Sequence, residues 1–256
     1  MDPIGCAIVF VHGFAGAAIE TWSAFPSELK ATPELAGWDF FFFSYDGKHT
    51  QALSSANQLR CFLGELCKDP AAVFNDSDSS LTMTRRHPKE YHRIILVAHS
   101  LGAIIARRAM LDALNRAVPA SWPKHTELVL FAPAHNGARI LALAIDTFGP
   151  IRGVLSSANL SNVFTVLEDL REGSRTLTDL RDELKTRFDA GAQELRARLV
   201  ITAKNDKIVR NARLYPDFAP DELDASHQSI CKPCDGFRDP FTHLLPLLTA
   251  PERNVL

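Results

Sequence analysis

Five short runs along the chain are apolar at consecutive positions rather than at alternate ones. They are CAIVFV (6–11), DFFFFSY (39–45), RIILVA (93–98), ELVLFA (127–132) and RLVITA (198–203). A strand covered by helices on both faces has this pattern, whereas a strand with one wet face alternates. The stretches between them follow the helical period instead. Residues 52–67 bring Ala52, Leu59, Leu63 and Leu66 near one stripe. Residues 102–115 turn Ile104, Ile105, Ala109, Leu111 and Leu114 inward and leave Arg107 and Arg108 facing out. Strands alternating with helices predict a doubly wound α/β fold around a mostly parallel central sheet flanked by helices.

Two regions break the rhythm. Residues 68–91 are polar and read as a long surface loop. Residues 137–195 contain no strand pattern. They carry two helical ones, with Leu160, Val163, Phe164, Leu167 and Leu170 on one stripe and Leu177, Leu180, Leu184 and Phe188 on another. Such faces must cover something, either the edge of the sheet or a pocket. The chain is therefore read as one α/β domain over residues 1–256, with 137–195 as a candidate helical cap insertion.

Composition narrows the classes. A chain of 256 residues, 46% hydrophobic, can bury one large core. A formal charge of −2 gives no electrostatic footprint for nucleic acid, and the pairs Arg85-Arg86 and Arg107-Arg108 are too short to form one. No apolar run approaches the ~18 positions of a membrane span, which leaves peripheral membrane contact open. The first residues run directly into an apolar strand and a His-Gly pair, and so read as core rather than as a signal peptide. Five cysteines do not make a disulfide framework, and a reducing, cytoplasmic setting is expected. The one CxxC, Cys231 and Cys234, lacks a second ligand pair, so no metal or other cofactor is expected.

The chemistry concentrates in LVAHSLGAI (96–104). Residues 98–102, Ala-His-Ser-Leu-Gly, resemble the G-x-S-x-G nucleophile elbow of α/β-hydrolases, with alanine in the first place. Such a turn from strand to helix is tight enough that the residues two before and two after the serine must be small; here they are Ala98 and Gly102. The alternative is a serine that caps the helix it precedes. VFVHGFAG (9–16) resembles the oxyanion-hole loop of the same superfamily and nominates the backbone amides of Phe14 and Leu101 as anion donors. A nucleotide loop is not completed there. His12 reads as a hydrogen-bonding loop residue.

A serine hydroxyl needs a histidine to take its proton, and that histidine needs a carboxylate. The resemblance implies the chain order Ser, acid, His. Asp206 follows the run 198–203 and fits the acid, against Asp146, Asp179 and Asp224. Of the two histidines beyond it, His227 lies in a polar stretch and His243 in an apolar one, which favours His227 as the base. His99 is expected to point away from the pocket.

HGFAGAAIETWSAFPSEL (12–29), AHSLGA (98–103) and SHQSICKP (226–233) together resemble the serine-esterase, lipase-like branch of the superfamily that includes GPI inositol-deacylase-like proteins. FAPAHNGAR (131–139) matches only part of the stretch that lipase-like relatives carry there. The resemblance implies hydrolysis of a small-molecule or lipid carboxylic ester through an acyl-enzyme, with Ser100, His227 and Asp206 as triad. The alternatives are a thioesterase, amidase or acyltransferase on the same triad, or a silent fold used for binding. The oligomeric state is left open.

Overall fold

A computed structural model describes residues 5–75, 90–139, 166–209 and 217–250. Its centre is a sheet of six parallel strands: β1 (Cys6–Val11), β2 (Asp39–Phe43), β3 (Arg93–His99), β4 (Thr126–Phe131), β5 (Ala197–Ala203) and β6 (Asp221–Leu223). The order across the sheet is β2-β1-β3-β4-β5-β6. The five apolar runs thus all became strands. The sixth, three residues long with its first two exposed, carries no apolar pattern and was not predicted.

Consecutive residues of the central strands feed opposite cores. Val9, Val11, Ile94, Leu96, Leu128 and Leu130 belong to one cluster, and Ile8, Phe10, Ile95, Val97, Val129 and Phe131 to the other. Burial on both faces explains why these strands read as unbroken apolar runs. On the second face, Phe10 packs against Trp22, Phe25 and Phe42 with ring centroids 4.8, 5.6 and 4.9 Å away. Truncating a large aromatic in such a site costs about 3–5 kcal/mol.

The α-helices whose bounds lie among the described residues are α1 (Phe25–Ala31), α2 (Ala52–Lys68), α3 (Pro70–Asn75), α4 (Leu101–Leu114), α5 (Arg175–Asp189) and α6 (Asp239–Thr249). α2 buries Ala52, Ser55, Ala56, Leu59, Leu63 and Leu66, one stripe at helical spacing. Gln51 supplies no side-chain cap to α2; Asp169, distant in sequence, accepts from the Ala52 amide instead at 3.0 Å. α6 ends under Arg93, whose guanidinium donates to the carbonyls of Leu247 and Ala250, both at 2.8 Å. Helix-end carbonyls lack intrahelical partners and need such donors.

Two expectations change. The stretch 68–91 is not loop throughout: α3 occupies Pro70–Asn75, and residues 76–89 lie outside the described residues. Arg107 does not face water. It is fully buried, paired with Asp217 and donating to the carbonyl of Leu195 at 2.9 Å. A lone buried guanidinium is prohibitive, but one matched by a carboxylate and a carbonyl is not. Those partners lie far along the chain, so helical periodicity alone could not find them.

Of the candidate cap, α5 buries Leu177, Leu180 and Leu184 and lies along α4. Arg108 bonds Glu183 at 2.9 Å, and Arg187 donates to Asn115 at the far end of α4 from Ser100. Residues 140–165 lie outside the described residues. No helix among the described residues is long and apolar enough to cross a membrane.

Candidate active site

β3 ends at His99 and α4 begins at Leu101, so a single residue makes the turn. That residue, Ser100, has φ 54° and ψ −117°, a backbone region L-residues rarely adopt. The turn is held from outside. The Ser100 amide donates to the Phe131 carbonyl at 3.0 Å, and its carbonyl accepts from the Ala103 amide at 3.1 Å. The size limit two residues on is severe: a Cβ on Gly102 would lie 2.4 Å from the Val11 carbonyl oxygen and 2.5 Å from that of His12. Ala98, two residues before, is completely buried.

The Ser100 side chain makes no helix-capping bond. Its Oγ lies 2.9 Å from Nε2 of His227. Nδ1 of His227 in turn lies 2.8 Å from Oδ2 of Asp206. The other oxygen of Asp206 accepts the amides of Ile208 and Val209 at 2.8 and 2.9 Å, which fixes the carboxylate plane. Burial alone would raise the Asp206 pKa. The hydrogen bond and charge of His227 and the two amides outweigh it and hold the carboxyl below its ordinary range. The line of contacts is dry: Ser100 is 2% exposed, and the side chains of His227 and Asp206 are 4% and 0% exposed.

The sequence thus named three residues that the fold brings together from the ends of β3 and β5 and the loop after β6. The rivals sit elsewhere. Asp224 accepts from the Asn205 side chain at the surface, and Asp179 pairs with Arg175 in water. Asp146 lies outside the described residues. His243 is half-exposed on α6, 3.1 Å from Asp221, rather than in the core its apolar neighbours suggested.

The loop after β1 lies directly against this corner. A Cβ on Gly13 would come within 3.0 Å of the Ser100 Cβ. His12 is buried, and its Nδ1–H donates to the Gly13 carbonyl at 2.9 Å. Its ring stacks on Tyr45 with centroids 4.2 Å apart, while the Tyr45 hydroxyl donates to the His12 carbonyl at 2.7 Å. Ala17 donates to Thr21, and Gly16 closes a turn on Gly13. This bracing fixes the backbone of the loop that carries Phe14, and Leu101 opens α4 on the other side of Ser100.

Cys231 is buried with its thiol on the Thr21 carbonyl and its pKa pushed up to about 12 by burial, whereas Cys234 is exposed. No group of metal-binding side chains occurs among the described residues.

No family model and no curated protein matches the chain. Solved structures do. The chain is similar to lipase BlEst2 of Bacillus licheniformis, with a TM-score of 0.56 and 19% identity over 95% of this chain and 92% of that one. It is similar to the monoacylglycerol lipase of Paleococcus ferrophilus, with a TM-score of 0.54 and 18% identity over 97% of this chain and 95% of that one. This chain has the α/β-hydrolase fold. A more distant likeness, TM-score 0.46 at 19% identity, is to phospholipase PlaB of Legionella pneumophila, of whose chain it covers 38% with 78% of its own. At these identities the likeness is one of fold, and fold does not fix chemistry.

Proposed function

We propose that this chain is a serine hydrolase that cleaves a carboxylic ester, from a small molecule or a lipid, through an acyl-enzyme. The observation that carries the reading is the unbroken, buried line of contacts from Ser100 through His227 to Asp206, set in a strained turn. In this reading the Ser100 Oγ attacks the ester carbonyl carbon while His227 Nε2 takes its proton. Asp206 holds the imidazole tautomer and offsets the charge that forms on it. The amides of Phe14 and Leu101 stabilise the oxyanion, a contribution worth about 2.7–4 kcal/mol per donor in related chemistry. Collapse breaks the bond to the alcohol oxygen, which leaves with the proton held by His227. Water then attacks the acyl-serine by the same route and restores the hydroxyl.

The lipases similar in fold support an ester as the bond cleaved. The narrower likeness to the inositol-deacylase branch rests on the sequence strings alone. The test is labelling by a fluorophosphonate probe, with the modified peptide located by mass spectrometry. Modification at Ser100, lost in His227→Ala, is the expected result and leads to an ester chain-length screen with product analysis in the presence of alcohol and thiol acceptors. A folded protein that the probe leaves unmodified overturns the reading in favour of a silent fold.

A further inference from the structure

Two polar residues follow one another where β3 gives way to α4, His99 at the end of the strand and Ser100 in the turn, and the mechanism above uses only the second. His99 is 7% exposed. Its Nε2 lies 2.9 Å from the backbone carbonyl oxygen of His227. A carbonyl only accepts, so Nε2 carries the hydrogen and Nδ1 is the bare nitrogen. That Nδ1 is buried with no hydrogen-bond partner. On its side the ring meets the loop after β1, where a Cβ on Gly13 would come within 3.0 Å of it. The imidazoles of His99 and His227 are 5.0 Å apart and tilted by 45°. His99 is therefore wedged between the oxyanion loop and the segment that carries the base.

A side chain present only to fill this space would be apolar, because a bare buried nitrogen costs desolvation and returns nothing. His12 bears the same cost, with Nε2 bare and Nδ1–H on the Gly13 carbonyl beside it; at His99 the hydrogen is donated instead to the residue that carries the base. We propose that His99 is a positioning residue: its Nε2–H fixes the backbone of His227, so that the imidazole meets Ser100 and Asp206 together. The proposal rests on the serine-hydrolase reading above. On this account the corner His99-Ser100 places nucleophile and base at once, since its two residues hold His227 by its carbonyl and by its ring. Positioning of this kind bears on rate, because a shift of about 1 Å in a reacting group costs roughly a hundredfold. The positioning ring must also stay neutral beside an imidazolium. Burial, with His227 next to it, lowers the His99 pKa to about 3.

The test is the inactivation of wild type, S100A, H99M and H99Q by a fluorophosphonate, read as a saturation rate (kinact) and a half-saturation concentration (KI). H99M fills the space without a donor. H99Q carries an amide N–H about as far from the backbone as Nε2. The expected result is a kinact lowered roughly 10- to 100-fold in H99M with KI unchanged, and most of the rate restored in H99Q. Should H99M fail to fold, H99N, whose amide stops short of the carbonyl, takes its place with the same expected loss. A wild-type kinact in the donor-less variant, or no recovery in H99Q, overturns the proposal. The two readings fail separately. An S100A protein labelled at the wild-type rate, or an unlabelled wild type, removes the serine reading and the positioning role with it. An inert S100A beside a fully reactive H99M removes only the positioning role.

Discussion

Among the described residues, three histidines sit against an aspartate at nearly the same distance: 2.8 Å for His227–Asp206, 2.9 Å for His49–Asp46 and 3.1 Å for His243–Asp221. Water separates them. The side chains of the first pair are 4% and 0% exposed, those of the second 47% and 53%, those of the third 37% and 47%. In water such a pair is screened and contributes about 0–1 kcal/mol. Away from water the same contact orients a ring and stabilises its charge. His227 also has its second nitrogen on a hydroxyl held in a strained turn, and its carbonyl held by His99. A histidine–carboxylate contact therefore says little about chemistry until its surroundings are known.

The comparison breaks most visibly at the buried pair. S100A and H227A are expected to lose on the order of a million-fold in turnover on an ester, with the fold retained by circular dichroism. D206N is expected to lose on the order of ten-thousandfold, because an amide beside Nδ1 favours the wrong tautomer. Fluorophosphonate labelling reads both before a substrate is known. A D206N protein labelled at the wild-type rate would move the acid role to another carboxylate.

The next effect concerns the turn that keeps the pair aligned. In G102A the new Cβ meets two backbone carbonyl oxygens at 2.4 and 2.5 Å, and backbone cannot swing aside as a flexible side chain can. Either α4 lifts off β1 or the turn opens, at about 1–3 kcal/mol. Urea unfolding measures that cost. Because Ser100 is the hinge of the same turn, labelling is expected to fall as well, and unchanged labelling would show that the corner can relax without moving the hydroxyl.

How much of this arrangement was legible depended on the range of each interaction. The five long strands show in local hydropathy, and Ser100, Asp206 and His227 could be named because small neighbours, strand ends and chain order are local or ordinal signals. β6 is too short and polar to leave such a signal. Neither the burial of Arg107, the cap that Asp169 lends to α2, nor the hold of His99 on the His227 carbonyl could be read, since each depends on a partner far along the chain. For His99 one signal was present: a second polar residue where a fully buried strand ends.

A smaller effect separates buried from exposed histidines by pH. Burial, together with His227 for His99 and Arg107 for His135, holds His12, His99 and His135 below the ordinary value of 6.5, with His99 at about 3. The unfolded chain binds these protons near 6.5 and the fold does not. The stability linked to them is therefore whole above about pH 6.5 and is lost as pH falls below it, toward the folded values. Each such group contributes at most about 1.4 kcal/mol per pH unit in that window. Urea unfolding between pH 7.5 and pH 5 should show stability falling on the acid side well before carboxylates titrate, with H99Q flattening the slope by one histidine's share. A slope unchanged in H99Q would mean that His99 takes up its proton in the folded state.

The smallest expected effect is the one on which the comparison depends. H243A and D221N remove an exposed pair whose geometry nearly matches the buried one, yet each should shift stability by under about 1 kcal/mol. Raising the salt to 1 M, where the screening length is about 3 Å, should erase most of that difference. Fluorophosphonate labelling of both variants should match the wild type. Loss of labelling in H243A with the fold intact would mean that exposure does not sort these histidines, and His227 would have to share the base role with a residue on α6. Equal labelling would leave the geometry of the two pairs matched and their chemistry separate, with burial as the difference between them.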